Sequence, residues 1–307
     1  MAEDHVPEAA SLGNPLGFSA KNDEQELRLQ IRRCRENGHL HARLGAQVAL
    51  ASLWRKKGLY RRASLLFLYT LAAAEAAPIL PPSMVAIICN EWAVLSKYTG
   101  EFSRAGALYK RAVIIFEQLD GPISHSVADL CHNLGGLAHA QGDFTNGEPW
   151  ARRSVTIRTA LLGSTHPRVA ADIAAWAALL DGCGRLDEAE AALQQALAVF
   201  RSSYGPKHYE IAVTEHNLAS LRHRRGHPEA AIQGYTHALT LKKRLLGENH
   251  PECASTLINL ATAHRDLGHT QSAAFFYSRA ITLLAPHVHP HHPLLRTARN
   301  RFNEIAN

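Results

Sequence analysis

The sequence predicts an all-α chain, an α-solenoid of about six stacked helical hairpins with a capping helix at each end. Three observations predict it. Glycines recur every 42 residues without a slip, at Gly58, Gly100, Gly142, Gly184, Gly226 and Gly268. Columns around them keep the same register: Ala63, Ala105, Gly147, Ala189, Ala231 and Ala273 on the near side, then Phe67, Tyr109, Ala151, Leu193, Tyr235 and Tyr277. Between glycines the apolar residues return at spacings of three and four, the stripe of a helix buried on one face, and strand-type alternation is absent. One helical pair cannot bury its own stripes, so a period of this length implies stacked neighbours.

The unit is clearest from His250 to Leu284. Pro251 suits the first turn of a helix, where its missing N–H costs nothing. Cys253, Leu257, Leu260 and Ala261 mark the buried stripe, and Gly268 ends that helix, since a left-handed residue there wants no Cβ. Ala273, Tyr277, Ala280, Ile281 and Leu284 trace the second helix. His208 and His166 repeat the His250 position, and His292-Pro293 opens a truncated seventh helix.

Taken in order, residues 1–23 hold two prolines, two glycines and no periodicity, and are expected to form a disordered acidic tail. Residues 24–41 are read as a capping helix with Leu27, Ile31 and Cys34 on one side. Residues 42–286 hold the six repeats, at about 42–80, 82–122, 124–164, 166–206, 208–248 and 250–285. The third repeat is the most degenerate. It has Pro149 in the opening turns of its second helix, so a late or distorted helix start is expected there. Residues 287–307 are a His-rich linker and a C-terminal capping helix.

Composition narrows the function. No apolar run approaches the length of a membrane span, so no membrane insertion is expected. The first residues are acidic and polar and predict no targeting peptide. The five cysteines stand singly, with Cys89 and Cys131 in a buried helical column, which points to packing in a reducing compartment and a cytoplasmic protein. No phosphate loop and no nucleophile–base pair is visible, so no catalytic residue is assigned and no enzyme is predicted. Trp54, Trp92 and Trp176 read as core. The segment HVHPHHP, with His287, His289, His291 and His292, could gather imidazoles round a metal, but it reads as an exposed polar loop, and no metal or cofactor is assigned.

Charge is lopsided. Residues 1–27 carry a net charge of −5 and residues 28–62 a net +9, so the basic character of the chain belongs to one end. Arg28 and Arg32 with Arg55, Lys57, Arg61 and Arg62 form the candidate basic patch. Such a patch could meet nucleic acid or an anionic membrane face, but no aromatic is interleaved for base stacking beyond Tyr60 and a charge run on a helix is usually a solvated face, so acidic protein partners are favoured over both.

The columns resemble tetratricopeptide repeats, with small residues at the helix contacts, an aromatic in the second helix and a glycine between. The 42-residue period, the Leu-Gly-x-x-His-Pro linkers (Leu246 to Pro251, Leu162 to Pro167) and the Asn-Leu-Ala cores (Asn217 to Ala219, Asn259 to Ala261) resemble the kinesin-light-chain type. That resemblance implies a right-handed solenoid whose first helices line a concave groove, with Asn133, Asn217 and Asn259 pointing into it. An asparagine amide can clasp an extended peptide backbone, or it can bond between adjacent repeats. Both readings stay open. Small Ser220 and Thr262 would leave room for a ligand, and Arg224 and Lys56 stand at positions that would set specificity. The function expected is a non-enzymatic scaffold or adaptor that binds a protein or peptide partner, with no small-molecule substrate. The alternative is a regulatory or assembly subunit docking rigidly in a larger complex. The oligomeric state is left open.

Overall fold

The structure is a computed structural model that describes residues 24–286 and 292–306. Among the described residues there are fourteen α-helices and no strand. They are α1 (Glu24–Glu36), α2 (Leu40–Lys56), α3 (Tyr60–Glu75), α4 (Pro82–Tyr98), α5 (Phe102–Asp120), α6 (His125–Gln141) and α7 (Phe144–Leu162). The chain continues with α8 (Pro167–Gly182), α9 (Leu186–Tyr204), α10 (Tyr209–Arg224), α11 (Pro228–Leu246), α12 (Cys253–Asp266), α13 (Thr270–Leu284) and α14 (Pro293–Ala306). The expected tail at 1–23 and His287, His289 and His291 lie outside the described residues. No described helix is long and apolar enough to cross a membrane.

The helices fall into two compact units, divided after Gly163. In the first, α1 to α7 each pack on the helix before and the helix after. In the second, α8 to α14 do the same. The hairpins are α2/α3, α4/α5 and α6/α7 in one unit and α8/α9, α10/α11 and α12/α13 in the other. First helices also touch the first helix of the next hairpin, α2 with α4 and α4 with α6, then α8 with α10 and α10 with α12. They form the closer-packed layer of each unit.

The glycine column closes the hairpins by one repeated turn. All six glycines sit at φ between 71° and 81°. At Gly184 the glycine N–H donates to the Asp181 carbonyl and the Arg185 N–H to the Leu180 carbonyl, both at 2.9 Å. These bonds satisfy the last carbonyls of the first helix, in a conformation that a Cβ would strain. The histidine column starts two first helices in the second unit: Nδ1 of His166 and His208 accepts the backbone N–H two residues on, at 3.1 and 3.3 Å, and His250 makes the same bond at 3.3 Å in the turn before α12. The His166 and His208 imidazoles serve as helix caps.

Small residues set how closely the helices of a pair approach. Ala63, Ala105, Ala189, Ala231 and Ala273 are fully buried. A Cβ added to Gly234 would lie 2.9 Å from the Cβ of Ala219. Phe67, Tyr109, Tyr235 and Tyr277 fill the space beside them. Cys89, Cys131 and Cys253 are buried, and no disulfide joins any of the five cysteines. Trp92 is core, Trp54 packs on its edge, and Trp176 is half-buried.

One expectation fails. The second helix of the third repeat starts in register at Phe144 and runs unbroken through Pro149 to Leu162. Asn146 donates to the Asp143 carboxylate at 3.0 Å and Gly147 N–H to the Asp143 carbonyl at 3.0 Å, so the first turn forms despite the proline. Pro149 costs one bond, to the Thr145 carbonyl, and its ring points outward. Replacing this exposed proline with alanine restores the bond and removes the ring clash. Pro149→Ala is therefore expected to stabilise the protein by about 1–3 kcal/mol in urea unfolding. An unchanged or lower midpoint would show that the proline is compatible with α7 at no cost.

Candidate functional site

The candidate site is the inner layer of first helices. Its geometry follows from one offset. Five of the side-chain pairs that bond across adjacent first helices lie 43 residues apart, one more than the repeat, while Ser52 and Glu91 lie 39 apart. One residue is about 100° of helix, which carries a side chain from the forward flank of one helix to the facing flank of the next. Counted from the hairpin glycine, the forward positions are 17, 10 and 3 residues before it, and the receiving positions 16, 9 and 2 before it. Each set is spaced by seven, so each keeps to one flank over two turns per step.

In the middle row of the first unit, Asn133 on α6 donates from Nδ2 to Asn90 Oδ1 on α4 at 3.0 Å. Asn90 donates to Glu91 Oε1 at 3.1 Å, and Glu91 Oε2 accepts from Ser52 Oγ on α2 at 2.9 Å. One polar chain thus ties three first helices, and Asn133 within it is only 3% exposed. In the second unit Asn259 on α12 donates to Nε2 of buried His216 on α10 at 3.3 Å. Asn133 and Asn259 are therefore occupied by neighbouring repeats. Asn217 is not. Its diagonal position is Ala174, which offers no polar group, and its half-buried amide makes no side-chain hydrogen bond among the described residues.

The row at the helix ends is charged or aromatic. Arg224 pairs with Asp181, His223 Nε2 lies 2.9 Å from Asp266 Oδ2, and the Arg55 guanidinium stands 5.4 Å over the Tyr98 ring. Tyr209 donates to Glu252 at 3.1 Å in the remaining row. Thr262 leaves no open space: its hydroxyl meets Tyr277 Oη at 2.9 Å and accepts from Arg301 on α14 at 2.7 Å. Ser220 is half-buried beside Asn217, while Arg224 and Lys56 are exposed. Asn217, Ser220 and Arg224 thus share one face of α10 at successive turns.

The basic residues do not assemble as one surface. Arg55 is buried under Tyr98. Arg28 and Lys57 both bond Glu24, at 2.8 and 3.2 Å, and Arg28 also lies 5.4 Å from the Trp54 ring centre. Arg32, Arg61 and Arg62 remain exposed without an acidic partner among the described residues. Among the described residues no group of three His, Cys, Asp or Glu side chains could hold a metal ion. The sequence reading aligned the columns vertically, at 42. The signal it passed over is the diagonal, at 43, which pairs Asn90 with Asn133, His216 with Asn259 and Asp181 with Arg224.

Comparison with known proteins agrees with this architecture. Models of the tetratricopeptide repeat match residues 127–168 and, in two overlapping segments, 170–244 and 230–285. A comparison with curated protein sequences gives no significant match. Among solved structures, the nearly identical TPR-like repeats of a Podosopora anserina protein named for the kinesin light chain are 21% identical, cover 67% of this chain and 97% of theirs, and superpose with a TM-score of 0.55. The type IV pilus biogenesis factor PilW is 18% identical over 83% of this chain and 98% of its own, with a TM-score of 0.57. A tetratricopeptide repeat protein from Parabacteroides merdae is 13% identical over 92% and 99%, with a TM-score of 0.62. At these identities the likeness is one of fold.

The rung between His216 and Asn259 should be visible in the pH dependence of stability. Burial, with a smaller push from the Lys242 charge, takes the His216 imidazole from an ordinary 6.5 down to about 3. The folded chain keeps it neutral while the unfolded chain protonates it, so the unfolded state binds more protons and stability falls as the pH drops below 6.5. Between pH 6.5 and about 5 this one group accounts for about 2 kcal/mol. Urea unfolding of wild type and His216→Gln over that range should give a steeper loss for wild type. Parallel curves would mean that His216 titrates alike in both states.

Proposed function

The chain belongs to the tetratricopeptide-repeat family, whose fold serves in general as a scaffold for protein–protein contacts, and on that premise we propose that it is a non-enzymatic adaptor. It binds an extended or helical segment of a partner protein on the inner face of its first helices. The observation that carries this reading is Asn217. It is the one asparagine of the column whose amide is left without a protein partner among the described residues, on the face it shares with Ser220 and Arg224. A side-chain amide offers both donor and acceptor, so it can bond a peptide backbone whatever the peptide's side chains are. Ser220 is small enough to let that backbone approach, and Arg224, held by Asp181, presents its charge at the end of the face. An acidic group in the partner segment fits there.

The test uses peptides selected from a displayed random library against the full chain. Their affinities are then measured for wild type, Asn217→Ala and Arg224→Glu. Asn217→Ala is expected to weaken binding about tenfold, ~1.4 kcal/mol, with the melting temperature nearly unchanged. Arg224→Glu is expected to disfavour acidic peptides selectively. Peptides that bind equally well to both variants would place recognition elsewhere on the chain.

A further inference from the structure

Exposed apolar side chains stand singly on several second helices, Ile114 on α5 and Phe275 on α13 among them, but only on α3 do they join into a stripe, which marks an interface. The positions ten and eleven residues after the hairpin glycine point outward in every repeat. They are Lys110 and Arg111 on α5, Arg152 and Arg153 on α7, Gln194 and Gln195 on α9, Thr236 and His237 on α11, and Ser278 and Arg279 on α13. On α3 alone they are apolar, Leu68 and Tyr69, exposed by 48% and 68%. Leu65, 48% exposed, and exposed Ala72 extend the same stripe at helical spacing, and Ile79 stands just beyond the helix end. The columns of Leu68 and Tyr69 are polar in the other five repeats, whereas those of Leu65 and Ala72 also hold exposed Phe275 on α13 and Ile114 on α5, and the repeat that is apolar in all four columns carries a patch of the kind that binds protein.

The charges at its two ends indicate what covers it. Arg61 and Arg62 lie in the first turn of α3, where cations oppose the helix dipole, and neither meets an acidic side chain among the described residues. Glu75 lies in the last turn, held by Arg111 at 2.5 Å. The stripe is therefore self-complementary about a two-fold axis passing between Leu68 and Tyr69. Laid antiparallel on a second copy, Leu68 meets the partner's Tyr69 and Leu65 meets the partner's smaller Ala72. Arg61 and Arg62 reach the partner's Glu75 and the unsatisfied carbonyls of the helix end. We propose that the chain forms an isologous dimer through α3, leaving the inner face of the first helices free.

The test is sedimentation velocity on the full chain. An interface centred on one helix pair lies at the small end of stable contacts, so concentrations from about 1 to 200 μM cover its range. The expected result is a species of twice the 33.7 kDa chain mass that dissociates on dilution. Leu68→Glu combined with Tyr69→Glu should be monomeric throughout with an unchanged melting temperature, while Gln194→Glu with Gln195→Glu, the same columns on α9, should still dimerise. Arg61→Glu with Arg62→Glu should weaken the dimer at least tenfold, and adding Glu75→Arg to that chain should recover it. A wild type that stays monomeric overturns the proposal, as does a dimer that survives Leu68→Glu and Tyr69→Glu. A monomeric wild type that dimerises only when shortened to Asn22 would assign the face to the chain's own N-terminal segment, and that too overturns it.

Discussion

Everything in the inner layer depends on first helices having to satisfy one another, within each unit, as well as their own hairpin partners. Within each unit a second helix packs on its own partner and on the next first helix, with polar contacts such as the buried Arg158–Asp129 pair among the apolar ones. Within each unit a first helix also meets a neighbouring first helix, α2 and α6 on α4, α8 and α12 on α10, and polar side chains such as Asn90, Asn133 and His216 are buried along these contacts. Buried polar groups must be paired there, because each unpaired one costs about 1–3 kcal/mol. The chain meets this requirement with side-chain pairs 43 residues apart, at up to three heights. Since such arrays are stabilised largely by nearest-neighbour contacts, these pairs help set how far order spreads from one hairpin to the next.

The same requirement separates residues that look alike in sequence. Asn133, Asn217 and Asn259 share a column, yet their surroundings differ because their diagonal positions are Asn90, Ala174 and His216. Where the diagonal residue is polar, the asparagine is consumed by the fold. Where it is alanine, the amide is left for something else. Binding capacity in such an array comes from gaps in its internal bonding. On the outer layer the logic is reversed: in the columns ten and eleven residues after the glycine the ordinary residue is polar, and Leu68 and Tyr69 stand out by being apolar. Repetition supplies its own reference at both surfaces.

Most of the fold was legible in the sequence. The period fixed the hairpin turns because only glycine sits easily at positive φ, and the small-residue columns fixed the helix contacts because nothing larger fits there. The site was less legible, for reasons that are also physical. Side chains reach across repeats diagonally, so a column read vertically shows which positions face inward but not which are occupied. The burial of Arg55 depends on Tyr98 in the next repeat and cannot be read from its basic neighbours. Thr262 is filled by Arg301 from the closing helix, which no repeat column contains. Pro149 misled for a different reason. A proline early in a helix forfeits a single bond when its ring faces solvent, and the neighbouring turns hold the helix in register.

The central claim is that polar pairs across the diagonal hold adjacent first helices together. The most direct measurement is a double-mutant cycle on Asn90 and Asn133, with each changed to alanine alone and then together, followed by urea unfolding. The account predicts a coupling of about 1 kcal/mol or more, with each single change costing more than its share because it strands the other amide in the interior. Purely additive costs would mean that the two side chains contribute independently, and that the first helices are held by apolar packing alone.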